Sequence, residues 1–242
     1  MHLAIFSIPL RVAVALNIPL VVWGENSAAE YGGRDEDAHS EILNSDWVRR
    51  YGVTQGTTAT DWVSPELSAQ DLNVYTPPND AVLDEAGTRA IFLGHYFPWD
   101  PSLTKEIAQA NGFSADTKGP RTGLFDYADI DDDFISIHHW MKWYKFGFTR
   151  TYDNLSLEIR NSRVTRDDAI EYIRSRGDET PWKDLHLFSK FTGVPTFRLL
   201  EIAQTFRNSD IWLRQPDGVW QIPDFLIPDW DWESGQLAKA TL

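Results

Sequence analysis

The chain contains no cysteine, and that excludes disulfides, thiolate nucleophiles and cysteine-ligated zinc without fixing the compartment. It is short of positive charge. The 22 Lys and Arg face 36 Asp and Glu, a net charge of −14, which argues against a non-specific grip on nucleic acid or an anionic membrane. It has no apolar run near the ~20 residues of a membrane span. The opening MHLAIFSIPLRVAVALNIPLVVW is apolar but broken by Pro9, Arg11, Asn17 and Pro19. It carries no basic leader and no obvious cleavage site, so a cytoplasmic protein is expected. What is present is ordinary globular composition, 42% apolar and 24% charged, with an unusual 11 Trp. The 242 residues allow one large domain or two small ones.

Local patterns predict α/β order first and helices later. A helix opened by Pro9 and closed near Asn17 precedes Ile18 to Gly24, a short β-branched run suited to a buried parallel strand. A second strand is expected over Arg89 to Phe97. With only two strands legible, the chain reads as opening inside a domain whose other strands lie elsewhere. On that reading Leu3, Ile5, Phe6 and Ile8 present apolar surface at the broken edge. Residues 38–84 are polar and read as an insertion or lid, with a turn at Pro77-Pro78-Asn79-Asp80. After Pro101 the patterns predict helices over Ser102 to Asn111, Asp133 to Gly147, Thr165 to Arg176, Pro181 to Thr192 and Pro195 to Arg207. A hairpin follows over Ile211 to Ile222, turning at Pro216-Asp217-Gly218. Pro223 to Trp232 reads as an irregular strap. The expected domains are 1–112, the α/β part with its insertion, and 113–242, a helical region with the hairpin.

Candidate chemistry lies in two places. Gly24-Glu25-Asn26 follows the first strand at its carboxyl end, where open α/β sheets bind ligands. Glu30 is close behind it. The nearby Gly32-Gly33-Arg34-Asp35 echoes the S-G-G-x-D-S phosphate loop. It stands too far past the strand, however, and lacks both hydroxyls, so a plain glycine turn is the better reading. Lys142, Lys145 and Arg150 gather positive charge in an acidic chain, and the two lysines share a helix face. His138 and His139 have no third ligand at metal spacing, so no metal site is read there, and His139 is taken as a substrate contact. Asp131-Asp132-Asp133 reads as the cap of the aromatic helix.

Several blocks, in one order over roughly residues 8–175, resemble the N-acetyl sugar amidotransferases of surface-polysaccharide synthesis. They are Ile8-Pro9-Leu10-Arg11, Ile18 to Asn26, Glu30-Tyr31-Gly32-Gly33, Gly94 to Asp100, His139 to Arg150 and Glu158 to Ile170. The resemblance implies an incomplete Rossmann-like adenine nucleotide α-hydrolase domain followed by a mostly helical region. It implies ATP with Mg²⁺ as the activating reagent, and a nucleotide-linked N-acetyl sugar whose acetamido group becomes acetamidino. Ammonia would come from a glutaminase partner. By the same resemblance, Glu25 and Glu30 would be catalytic and Gly24, Glu25 and Asn26 would hold the cofactor. Tyr96, Asp100, His139, Lys142, Lys145 and Arg150 would bind the sugar nucleotide. The family's S-G-G-x-D-S loop and Cys-rich segment are absent from these 242 residues, so a partner chain or segment carrying the loop is expected. The rival readings are a non-catalytic nucleotide-sugar-binding or scaffold subunit and an inactive remnant.

Overall fold

The computed structural model describes residues 2–31, 34–52, 56–97, 99–177 and 179–232, and the chain divides into two compact units, Met1–Trp99 and Asp100–Leu242. In the first unit, α1 (His2–Ala15) buries Phe6, Leu10 and Ala13, the i, i+4, i+7 spacing of one helix face. The helix runs through Pro9 and does not start there. Pro9 is exposed and costs the helix a single bond, the N–H that a residue there would give to Ile5. Asn17, with φ of 54°, ends the turn and lets the Ile18 N–H reach the Ala13 carbonyl at 2.8 Å. Ile5 and Ile8 are exposed as expected, but Phe6 is in the core, its ring 5.3 Å from that of Trp23.

β1 (Leu20–Trp23) pairs in parallel with β2 (Arg89–Phe92), Leu20 opposite Arg89 and Trp23 opposite Phe92. Between them come α2 (Ser27–Tyr31), α3 (Asp35–Ala38), α4 (Ser45–Tyr51), two 3₁₀ turns and α5 (Asp80–Glu85). The far edge of β2 is bridged at Ile91 by Ile42. This polar stretch contributes to the core, because Leu43 and Trp47 are each 2% exposed and Trp47 packs 4.6 Å from Phe92. The expected turn at Pro77 to Asp80 instead starts α5, where the Asn79 side chain accepts from the Val82 N–H. β2 stops sooner than expected. Gly94, His95 and Tyr96 belong to α6 (Leu93–Tyr96), a single turn. The two parallel strands found here do not amount to a Rossmann-like sheet.

The second unit is helical, with α7 (Pro101–Ala110), α8 (Ile135–Phe146), α9 (Arg150–Arg160), α10 (Arg166–Arg176), α11 (Trp182–Thr192) and α12 (Thr196–Gln204). Its small antiparallel hairpin pairs β3 (Leu213–Arg214) with β4 (Trp220–Gln221). Thr165 caps α10 as its T-x-x-D pattern requires, its hydroxyl accepting from the Asp168 N–H at 3.2 Å. Gly147 closes α8 with φ of 75°, and a methyl there would stand 2.8 Å from Cδ1 of Ile222, so a larger residue would need that side chain to shift and would carry the strain of a positive φ. The indole of Trp143 is the hub of the core, meeting Trp212 at 5.1 Å and both Phe225 and Trp230 at 5.7 Å. Ile227 of the terminal strap is 1% exposed beneath α9 and α10 residues Leu155, Ala169 and Ile173.

Candidate functional site

The second unit encloses a polar cavity of about 390 Å³ between α8, the start of α9 and the connection from α10 to α11. Among the described residues, Arg121, Arg150 and Arg176 line it together with the acidic Glu179. Thr149, Ser136, Ser175 and Thr180 add hydroxyls, and His139 adds an imidazole. Arg150 is 8% exposed, its Nε 3.3 Å from Asp129 and its Nη1 3.8 Å from Asp153. Arg121 donates to the Asp132 carbonyl at 2.8 Å and to Asp133 at 3.1 Å. Gly123 makes the approach of α9 possible. Its φ is 66°, and a methyl on it would fall 2.2 Å from the Asn154 amide oxygen and 3.0 Å from Cγ of Arg150.

His139 is 7% exposed, and its Nδ1 has no hydrogen-bond partner. Burial, helped by the nearby Arg150, His138 and Lys142 charges, lowers its pKa to about 3. The imidazole is therefore neutral at working pH, a hydrogen-bonding group and not a cation. The unfolded chain takes up this proton near the ordinary value of 6.5 and the folded chain does so only near 3. The contribution of His139 to stability is thus complete above pH 6.5 and is lost as the pH falls toward 3. Urea titrations should show the unfolding free energy declining over pH 6.5 to 4.5, by up to ~1.4 kcal/mol per pH unit. His139→Gln should remove that slope, and an unchanged slope would contradict the burial argument.

Of the residues expected to bind ligand, His139 and Arg150 line this cavity; Lys142 and Lys145 do not. Lys142 pairs with Asp153 at a site where both side chains are at most 14% exposed, and its Nζ lies 4.7 Å from the Phe148 ring. Lys145 is exposed, its Nζ 5.0 Å from the Phe206 ring. The shared face of the two lysines is real, but the partner of each is within the chain. Asp100 accepts from the Ser102 N–H at 3.0 Å as the cap of α7 and from Arg163 at 2.8 Å. Tyr96, in the first unit, donates its hydroxyl to Glu41 at 2.7 Å.

The strand-end loop is also occupied with itself. The Asn26 side chain accepts from the Ala28 and Ala29 N–H groups and donates to the Asp37 and Ala38 carbonyls, so it caps α2 and pins the chain that follows. Glu25 is exposed beside it. The side chain of Glu30 and the Gly32-Gly33 pair lie outside the described residues. In this arrangement both ends of the Asn26 side-chain amide are engaged within the chain. Among the described residues no three His, Cys, Asp or Glu gather as a metal site.

Arg121, Arg176 and Glu179 were missed in the sequence. Their signal is local: Gly119-Pro120-Arg121-Thr122-Gly123 and Ser175-Arg176-Gly177-Asp178-Glu179-Thr180-Pro181 set charges on glycine- and proline-bounded connections. Among the described residues no helix is long and apolar enough to cross a membrane. No curated protein matches the chain. Residues 122–225 match the family model for the LPS biosynthesis protein WbpG-like, C-terminal domain, a span that holds every cavity residue except Arg121. That segment is similar to the C-terminal domain of WbpG-like LPS biosynthesis proteins, which supports the resemblance of the chain to the N-acetyl sugar amidotransferases.

Proposed function

We propose that the chain is the sugar-binding portion of an ATP-dependent N-acetyl sugar amidotransferase, acting on a nucleotide-linked sugar in lipopolysaccharide synthesis. The observation that carries this reading is the position of the polar cavity within the segment that matches the WbpG-like domain. A sugar nucleotide is anionic at one end and rich in neutral hydrogen-bonding groups at the other. Guanidinium groups suit the first, and a neutral His139 with threonine and serine hydroxyls suits the second. Activation of the acetamido oxygen by ATP, and delivery of ammonia by a glutaminase partner, belong on this reading to segments that join the chain. The phosphate-holding loop would come with them.

Calorimetry with the full chain tests the sugar site. A nucleotide-linked N-acetyl sugar should bind, and the same nucleotide sugar without its acetamido group should bind about tenfold more weakly, the cost of leaving a built polar site unmatched. His139→Ala should erase that preference. Equal affinity for the two sugars in the unaltered chain would sink the sugar-site reading.

A further inference from the structure

The outer edge of β1 is open. The Pro19 carbonyl accepts from the Arg89 N–H at 2.9 Å, so Pro19, Val21 and Trp23 turn their backbone groups to β2. Successive residues of a strand face alternate edges, which leaves the N–H and C=O groups of Leu20 and Val22 pointing away from the sheet. Among the described residues no strand pairs with them. The other edge is closed, because the Leu43 N–H gives to the Ala90 carbonyl at 3.0 Å and the Phe92 N–H to that of Glu41 at 2.9 Å. Leu20-Val21-Val22-Trp23 carries no charge and no proline, two devices that keep an exposed edge from pairing. The side chains of Leu20 and Val22 are half exposed as well.

A second observation lies on α1. Phe6 and Leu10 join the core of the sheet with Ala90 and Phe92. Ser7 donates to the Val74 carbonyl at 2.7 Å and Arg11 to that of Thr76 at 3.1 Å, so a second row of the helix is held by the 3₁₀ turn at Asn73–Tyr75. The third row, Ile5, Ile8, Val12 and Leu16, has the spacing of one helix face and is 41–66% exposed. A helix turns about 100° per residue, so this row stands on the other flank of α1 from the one the 3₁₀ turn covers. Asn17 and Ile18 lead straight from it into β1, so the free row and the open edge adjoin. Charge singles out the same surface. Residues 2–24 contain no Asp or Glu, although the chain has 36 of them and a net charge of −14. Two copies of the chain repel over the acidic remainder and not here.

We propose that a second copy of the chain covers this surface, the two β1 strands pairing antiparallel across a two-fold axis at Val21. That register sets Leu20 of one copy opposite Val22 of the other. These are the residues whose N–H and C=O groups face outward, so each of the two pairs exchanges both of its hydrogen bonds. The edge is its own complement, as an isologous contact requires. The axis stands perpendicular to the sheet, so both α1 helices come to the same face, and their free rows supply the apolar contact between them. The inference stands apart from the function proposed above. A chain that brings the phosphate loop would compete with the copy for the same edge.

Sedimentation of the full chain over a range of concentrations tests this. The mass should approach twice 27.7 kDa and fall toward 27.7 kDa on dilution. Val22→Lys sets a charge against Leu20 of the other copy and should weaken the dimer by about tenfold or more. Leu213→Lys, as exposed but in the second unit, should leave the mass unchanged. The lack of cysteine allows the register to be read as well. Val21→Cys puts one thiol per copy at the axis, within disulfide reach of its mate, and mild oxidation should give a covalent dimer that Leu213→Cys does not. If Val22→Lys does not fold, as judged by circular dichroism, that cross-link decides the matter. A single mass of 27.7 kDa at every concentration overturns the proposal, and so does a dimer that survives Val22→Lys or fails to cross-link through Val21→Cys. A monomer whose β1 amides gain protection only when a chain carrying S-G-G-x-D-S is added overturns it too, and gives the edge to that chain. Sugar binding in the second unit stands or falls separately.

Discussion

Asp153→Ala is expected to lower stability by about 3–5 kcal/mol, a large share of what a domain of this size possesses. Asp153 is 9% exposed; it pairs with Lys142 across α8 and α9 and stands 3.8 Å from Arg150. Deleting the carboxylate leaves two desolvated cations without the anion they share, and that penalty exceeds the value of the ion pair itself. A cycle separates the two terms. Lys142→Met alone should also destabilise, whereas Lys142→Met with Asp153→Leu should recover the part of the loss that belongs to that pair, while Arg150 keeps Asp129 at 3.3 Å. Urea denaturation of the three variants checks this, and an Asp153→Ala chain within 1 kcal/mol of the parent, on the order of a surface substitution, would show that the pair is solvated in solution.

Release of AMP should be absent when the 242 residues are supplied with ATP, Mg²⁺, ammonia and a nucleotide-linked N-acetyl sugar. The sequence contains no S-G-G-x-D-S, and the Asn26 side chain that might have served a nucleotide is spent on α2 and the residues after it. Losing even one preorganised donor from a step that develops charge costs about 10²–10³ in rate. Adding a chain that carries S-G-G-x-D-S should restore sugar-dependent AMP release. It should also protect the exposed side chains of Ile5 and Ile8 from solvent, a change that hydrogen exchange in α1 would register. Robust AMP formation by the 242 residues alone would refute the argument. Binding of the sugar nucleotide with no rescue by the added chain would instead favour a non-catalytic binding subunit.

The elements legible in the sequence were those whose instructions are local. The β-branched run at Val21-Val22, the Thr165 cap and the Pro216-Asp217-Gly218 turn each specify their own backbone, and the parallel pairing and the hairpin follow. α9 was not legible because the first half of its buried face is polar, with only Leu155 and Leu157 adding buried apolar side chains. Arg150, Thr151, Asp153 and Asn154 are all at most 9% exposed, so the apolar signal of the helix starts only at Leu155. The site failed for a related reason. Charge clustering pointed to Lys142 and Lys145, but a cation in sequence does not announce its partner, and both are answered by Asp153 and Phe206 from other elements. His139 and Arg150 did reach the cavity, carried there by α8 and α9. Arg121 comes from one connection, and Arg176 with Glu179 from another, brought together only by the packing of those helices.

The indole nest around Trp143 also determines what optical probes will see. Seven of the 11 Trp lie in the second unit, and Trp143, Trp212, Trp230 and Trp232 stand within 6.4 Å of one another in the measured pairs. Transitions on rings this close mix, so the folded second unit should carry an exciton couplet in circular dichroism that weakens when the strap bearing Trp230 and Trp232 detaches and leaves the Trp143–Trp212 pair. Emission will be weighted toward the same unit. A melt followed by fluorescence therefore reports chiefly the fate of the cavity-bearing half, while the half built on α1 and the parallel strands speaks mainly through Trp23 and the buried Trp47.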